Sequence, residues 1–245
     1  MVSGRMRIGY AALALLTLSA TALVAAHVAR AAAPGAPRES EFERAATDAM
    51  VLRGRQIVIS HACGGCHGPT EDGVDQEGWL VGERSVEQQF LIGPCAVTPG
   101  AQPCFKTHPR NLTPDDETGL GRFTERQIFN ALRYGVRPED TPDVKITSTT
   151  PGQGNFPLHP HYLAPPMPWP SWRHMTDDEL WAIAAYLKRG LKPVKNKVAE
   201  SEGPPDFWAS EYKEMPQIKL GSYPAPPFPT ANERATEAKS TKKGK

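Results

Sequence analysis

One short motif constrains the fold of this chain more than its composition does: Cys63-Gly64-Gly65-Cys66-His67. Two cysteines separated by two residues and followed by a histidine form the attachment sequence of a c-type haem. The thiols of Cys63 and Cys66 can add to the haem vinyl groups from one helical turn, and His67 then faces the iron as proximal ligand. The two glycines place no side chain against the porphyrin edge. Because the motif occurs once, the sequence predicts one covalently bound haem c.

Two other uses of the cysteines are less consistent with their spacing. A thiol oxidoreductase motif would normally follow a strand in a βαβ pattern, and no such pattern is visible. A zinc site built from all four cysteines would pair a two-residue spacing with the eight residues between Cys95 and Cys104, which matches no usual zinc ligand set. In an oxidising compartment, Cys95 and Cys104 most simply form a structural disulfide.

The N-terminus predicts export from the cytoplasm. Arg5 and Arg7 precede an uncharged run of 19 residues at 8–26, and A-x-A sites follow at 29–31 and 31–33. A positive start, an apolar middle and small residues are typical of a secretory signal. The run is also just long enough to span a bilayer, so residues 1–33 are either a signal peptide or an N-terminal membrane anchor. Both place the remainder in the periplasm, soluble or anchored to the inner membrane. A buried helix of the globular domain remains a third reading.

Composition excludes several classes and divides the rest of the chain. With 245 residues, a net charge of +1 and 39% hydrophobic residues, the chain suits one globular domain with extensions rather than a collagen or a multi-span membrane protein. The near-zero net charge gives no electrostatic indication of nucleic-acid binding. Residues 34–48 are predicted to be a linker. Residues 199–245 form a Pro-rich and Lys-rich tail that is expected to be largely extended or disordered.

The helix signals predict three helices, and their approximate ranges are 46–61, 124–135 and 176–190. Thr124 with Gln127, and Thr176 with Glu179, have the spacing of a capping box. The apolar stripe of the last helix is Leu180, Ile183, Ala184 and Leu187. The segments 68–122 and 138–171 are rich in Gly, Pro or Asp and are predicted to be irregular. Strand signals are weak throughout, so the fold class is predicted to be all-α.

Met167 is the favoured candidate for the sixth iron ligand. The remaining methionines lie in the predicted signal or anchor, on the attachment helix, at a helix start or in the tail: Met1, Met6, Met50, Met175 and Met215. Pro166 and Pro168 stiffen the loop around Met167, which could hold its sulfur at the iron. Bis-histidine ligation through His159, His161 or His174 remains open. The predicted metal ligands are therefore His67 and Met167.

The chain resembles a class I cytochrome c, specifically the monohaem cytochromes related to the cytochrome subunits of bacterial periplasmic alcohol and sugar dehydrogenases. The resemblance is carried by CGGCH at 63–67, RNLTPD at 110–115, TG at 118–119, the 124–135 helix, and MPW at 167–169 before the 175–189 helix and Pro193. It implies a cytochrome c domain at 49–198, a helical domain wrapped around one haem with long Pro-rich loops.

The resemblance also assigns roles to single residues. It makes Met167 the distal ligand, and it puts Asn111 and Thr113 near a haem propionate. The chain departs from the pattern at the Cys95–Cys104 loop, the 138–163 insertion and the tail. Its single motif also differs from the three haem motifs that dehydrogenase cytochrome subunits often carry.

The leading functional hypothesis is periplasmic electron transfer by one haem with His/Met ligation, without catalysis by the chain itself. The partners would be redox proteins: a dehydrogenase or bc1-type donor and a downstream acceptor or oxidase. The alternatives are a haem enzyme or gas-binding protein with an open or His-ligated distal site, and a docking subunit of a larger complex. The single motif excludes a two-haem peroxidase.

Overall fold

The computed structural model describes residues 39–70, 73–83, 89–204 and 206, with residues 39–47 described as backbone only. The chain divides into two compact units, Met1–Arg44 and Ala45–Lys245. Only helical residues 39–44 of the first unit are described, so the fold below is that of the second. The predicted signal or anchor at 1–33 and most of the predicted tail lie outside the described residues.

Helices build the centre of the second unit. In chain order they are α1 (Glu39–Ser60), α2 (Cys63–His67), α3 (Glu125–Tyr134), α4 (Trp169–Trp172) and α5 (Asp177–Ala185), which continues as a π-helical turn at Tyr186–Gly190. α1 begins within the segment predicted as a linker, because residues 39–45 are rich in strong helix formers. Met50, on α1, is 39% exposed.

α1 crosses α5 at close range. A Cβ on Gly54 would overlap the Ala182 carbonyl and lie 2.8 Å from the Tyr186 Cβ. The buried Val58 then joins a core cluster with residues of α3 and α5, among them Ile128, Leu132, Leu180 and Ile183. A glycine at the crossing therefore allows the backbones of the two helices to approach closely.

Both predicted capping boxes are confirmed. The Thr124 side chain accepts from the Gln127 backbone N–H while the Gln127 side chain accepts from the Thr124 N–H, and Thr176 and Glu179 repeat the arrangement on α5. Gly135 ends α3 in the left-handed conformation at φ 68°. These local signals place α3 and α5 within a residue or two of their predicted starts.

A small sheet lies inside the segment predicted to be irregular. β1 (Phe90–Ile92) and β2 (Phe105–Thr107) pair antiparallel, with Ile92 opposite Phe105. The disulfide Cys95–Cys104 closes the loop between the two strands, as the sequence predicted. The described residues therefore form a helical domain with an added two-stranded sheet. No helix in the described ranges is long and apolar enough to cross a membrane.

The Pro-rich segment before α4 is mostly irregular, as expected, and one buried tryptophan anchors its end. Trp169 is fully buried, and its indole ring lies so close to Gly135 that a Cβ there would overlap it. Val136 also forms an isolated bridge with Tyr162. The end of α3 thus fixes the loop that carries Met167.

Candidate haem-binding site

The attachment motif forms its own short helix. Ala62 adopts a left-handed conformation at φ 51°, which turns the chain between α1 and α2. α2 then carries Cys63, Cys66 and His67 on little more than one turn, with the two thiols partly buried. The disulfide uses the other two cysteines, so Cys63 and Cys66 remain thiols. Two thiols on one helical turn beside a histidine are the donor set that covalent attachment of a haem requires.

The ring of His67 is oriented by a backbone carbonyl. Its Nδ1 lies 2.7 Å from the carbonyl oxygen of Arg110, and because a carbonyl only accepts, Nδ1–H is the donor. Nε2 therefore carries the lone pair. Burial lowers the pKa of His67, against a smaller opposing effect of this hydrogen bond, so the imidazole is held neutral. A neutral imidazole with its Nδ1–H engaged is the form that binds a metal through Nε2.

Burial has the opposite effect on the first cysteine. It raises the pKa of the Cys63 thiol to about 12, with a minor contribution from Cys66. The Cys63 side chain also packs against the core cluster. At neutral pH the thiol is thus uncharged and adds to the apolar surroundings of the motif.

A buried aromatic pair, Trp79 and Tyr186, packs against the attachment motif. Trp79 lies so close to Gly64 that a Cβ there would overlap the indole ring and lie 2.5 Å from the Thr70 carbonyl oxygen. The Trp79 Nε1–H donates to the Tyr186 hydroxyl at 3.0 Å. No local pattern predicts this contact, because Trp79 and Tyr186 are 107 residues apart.

Met167 lies on a constrained loop beside the core. Its N–H donates to the Ala164 carbonyl at 2.9 Å, and its own carbonyl accepts from the Trp169 N–H at 2.8 Å. The Met167 side chain is partly buried and packs against the same core cluster as Cys63 and Leu112. Met175 packs against that cluster too. The structure thus brings Met167 and the attachment motif to one core, and the identity of the distal ligand stays a prediction.

The three histidines considered as competitors have different surroundings. His159 is exposed, and His161 Nδ1 lies 2.9 Å from Asp140 Oδ2. His174 is partly buried, and burial lowers its pKa, with nearby Arg173 as a smaller cause.

Asn111 and Thr113 lie in a buried network next to the carbonyl that holds His67. Asn111 Nδ2 donates to Thr118 Oγ1 at 3.1 Å and to the Val194 carbonyl at 2.8 Å. Asn111 Oδ1 accepts from both the backbone N–H and the hydroxyl of Thr113. The network fixes the segment that follows Arg110. The role of these two residues near a propionate stays a prediction.

The donor set, the oriented imidazole and the apolar surroundings fit a covalently attached haem, and they define a c-type cytochrome. Residues 51–190 match the family model for cytochrome c, so the chain belongs to the cytochrome c family and its cofactor is haem c.

Several curated relatives are similar over part of their length. The chain is 26% identical to the fructose dehydrogenase cytochrome subunit of Gluconobacter japonicus, over 59% of this chain and 22% of that protein. It is 28% identical to the gluconate 2-dehydrogenase cytochrome c subunit of Pantoea cypripedii, over 65% and 27%. It is 26% identical to the cytochrome c subunit of the quinone alcohol dehydrogenase of Komagataeibacter europaeus, over 66% and 25%. The matched part spans about a quarter of these relatives.

Proposed function

We propose that this cytochrome transfers single electrons between protein partners through one haem, with His67 and Met167 as the axial ligands and Cys63 and Cys66 as the attachment residues. The haem supplies the Fe(III)/Fe(II) couple. The observation that carries the proposal is the 2.7 Å hydrogen bond from His67 Nδ1 to the Arg110 carbonyl, because it leaves Nε2 for the metal beside two thiols on the same turn.

The held backbone of its loop supports Met167 as the distal ligand. Trp169 is fully buried against Gly135, and the Met167 backbone is bonded on both sides, so the chain limits where the thioether can move. A loop backbone held in this way needs little further ordering when the thioether binds a metal. Methionine ligation raises the reduction potential relative to a second histidine.

The relatives and the N-terminus support the proposed partners and compartment. The similar proteins are cytochrome subunits of fructose, alcohol and gluconate dehydrogenases, which supports a dehydrogenase as electron donor. A bc1-type donor and a downstream oxidase would also exchange single electrons with this haem. The run at 8–26 supports a periplasmic location, soluble or anchored. Substrate oxidation would belong to another subunit.

The test compares two double variants that each remove two cysteines. Cys63→Ala/Cys66→Ala should give a chain whose haem is extracted under denaturing conditions and whose intact mass shows no attached group. Cys95→Ala/Cys104→Ala should keep covalent haem and a sharp reduced absorption band with dithionite. Coulometric titration of the wild type should then consume one electron per chain. Covalent haem in the first variant, or a stoichiometry other than one, would contradict the proposal.

A further inference from the structure

Two titratable side chains are buried together near the proximal histidine. Glu83 is 8% exposed and His108 is 5% exposed. His108 Nδ1 and Glu83 Oε2 are in direct contact, and the contact is an ion pair when His108 is protonated. Glu83 Oε1 and His108 Nε2 have no hydrogen-bond partner among the described residues. Each side chain therefore depends on the other, because a buried polar group is costly unless it has a partner.

Backbone hydrogen bonds tie this pair to His67. The Gly82 N–H donates to the His67 carbonyl at 2.9 Å, and the Glu83 N–H donates to the Pro109 carbonyl at 2.9 Å. His108 lies two residues before Arg110, whose carbonyl accepts from His67 Nδ1. The 82–83 and 108–110 segments thus hold His67 from two sides, one at its backbone and one at its ring.

The two segments also lie too close to tolerate a side chain between them. Gly82 has φ +85°, and a Cβ there would lie 2.7 Å from the Arg110 carbonyl carbon and 2.8 Å from the Pro109 carbonyl oxygen. The contact between the Glu83 and His108 side chains keeps these two closely packed backbone segments in register.

We propose that Glu83 and His108 are positioning residues, which hold the Arg110 carbonyl at the Nδ1–H of His67 and so set the reduction potential of the iron. A strong Nδ1–H···O=C bond makes the imidazole a better electron donor, which favours Fe(III). Breaking the pair lets the 108–110 segment relax, weakens that bond and raises the potential. The inference rests on the proposed role of His67 as proximal ligand.

The experiment uses the full holoprotein and the single variants Glu83→Ala and His108→Ala. The first readout is hydrogen exchange of the His67 Nδ1 proton, followed by NMR in the reduced state. The second is the midpoint potential from spectroelectrochemistry. We expect faster exchange and a threefold or so shift of the redox equilibrium towards Fe(II), which is about 30 mV for a one-electron couple.

Two further variants separate positioning from other effects. Glu83→Gln/His108→Gln removes both titratable groups and can keep one amide–amide hydrogen bond, so it should restore slow exchange. Glu200→Gln removes the exposed ion pair of Arg110, in which the Glu200 side chain is 85% exposed, and should change neither readout.

Each outcome decides the proposal. A raised potential with unchanged Nδ1 exchange would show a through-space charge effect and would overturn it, as would unchanged values of both. If an Ala variant does not accumulate as holoprotein, the corresponding single Gln variant is measured by the same criterion. Loss of haem from the wild type would instead refute the proposed function, so the two failures are distinguishable.

Discussion

Replacing Gly64 with alanine should destabilise the protein, although alanine is normally the better helix former. A Cβ at Gly64 would overlap the Trp79 ring, lie 2.9 Å from its Cη2 atom and 2.5 Å from the Thr70 carbonyl oxygen. Trp79 cannot easily move away, because its Nε1–H is bonded to the Tyr186 hydroxyl in the core. Gly65 lies next to Gly64 on the same helix and is exposed, so Gly65→Ala is a matched control.

The magnitude follows from two opposing effects. Exchanging a helical glycine for alanine stabilises by about 0.5–1 kcal/mol. Overpacking a tight site costs about 1–3 kcal/mol, and the upper part of that range applies where a backbone carbonyl is among the overlapping atoms. Gly64→Ala should therefore lower the free energy of unfolding by about 1–2 kcal/mol, while Gly65→Ala should leave it unchanged or slightly higher.

The assay is denaturant unfolding of the two holoproteins, supported by their melting temperatures. A difference of about 2 kcal/mol corresponds to about 4–8 °C for a domain of this size. In a Trp79→Phe background, which lacks the outer ring atoms, the cost of Gly64→Ala should become smaller. Equal stability of the Gly64→Ala and Gly65→Ala variants, or the same cost in both backgrounds, would refute the packing argument.

Two further predictions concern the disulfide and a capping box. Without reductant, Cys95 and Cys104 should resist alkylation in the folded protein, and mass spectrometry showing full labelling of both would contradict the disulfide. The Thr176 N–H, donating to the carboxylate, lowers the pKa of Glu179 below its usual 4.5. The stabilisation that the ionised Glu179 carboxylate provides is therefore complete above about pH 4.5. It is lost as the pH falls through the lower pKa that Glu179 has in the folded protein. As the pH is lowered from neutral to acidic, the melting temperature of Glu179→Gln should fall less steeply than that of the wild type. The same pH dependence in both proteins would contradict this.

Features encoded by neighbouring residues were predictable from the sequence. A capping box needs only Thr124 and Gln127, and an amphipathic stripe needs only residues three and four apart, so α3 and α5 could be placed. The cysteine pair at 95 and 104 was recognisable because its spacing and the predicted export from the cytoplasm together favour a disulfide. The helical core was expected from these helix signals and from the family resemblance.

Features that depend on distant residues were not predictable. β1 and β2 have three residues each, too few for an alternating pattern to stand out, and their pairing depends on the loop between them. The contact of Trp79 with Gly64 and the pair Glu83–His108 join segments that only the fold brings together. A lone buried histidine such as His108 looks, in the sequence, like any surface histidine.

The identity of the distal ligand tests the account most directly. Met167→Ala and Met175→Ala remove the same side chain from two positions that pack against one core cluster. Measured on oxidised and reduced holoprotein, Met167→Ala should keep covalent haem but lose the weak sulfur-to-iron band near the red end of the spectrum, lower the potential and bind carbon monoxide. Met175→Ala should keep the band and lose only about 1 kcal/mol of stability through its contact at the start of α5. Loss of the band in Met175→Ala alone, or in neither variant, would contradict His67/Met167 ligation.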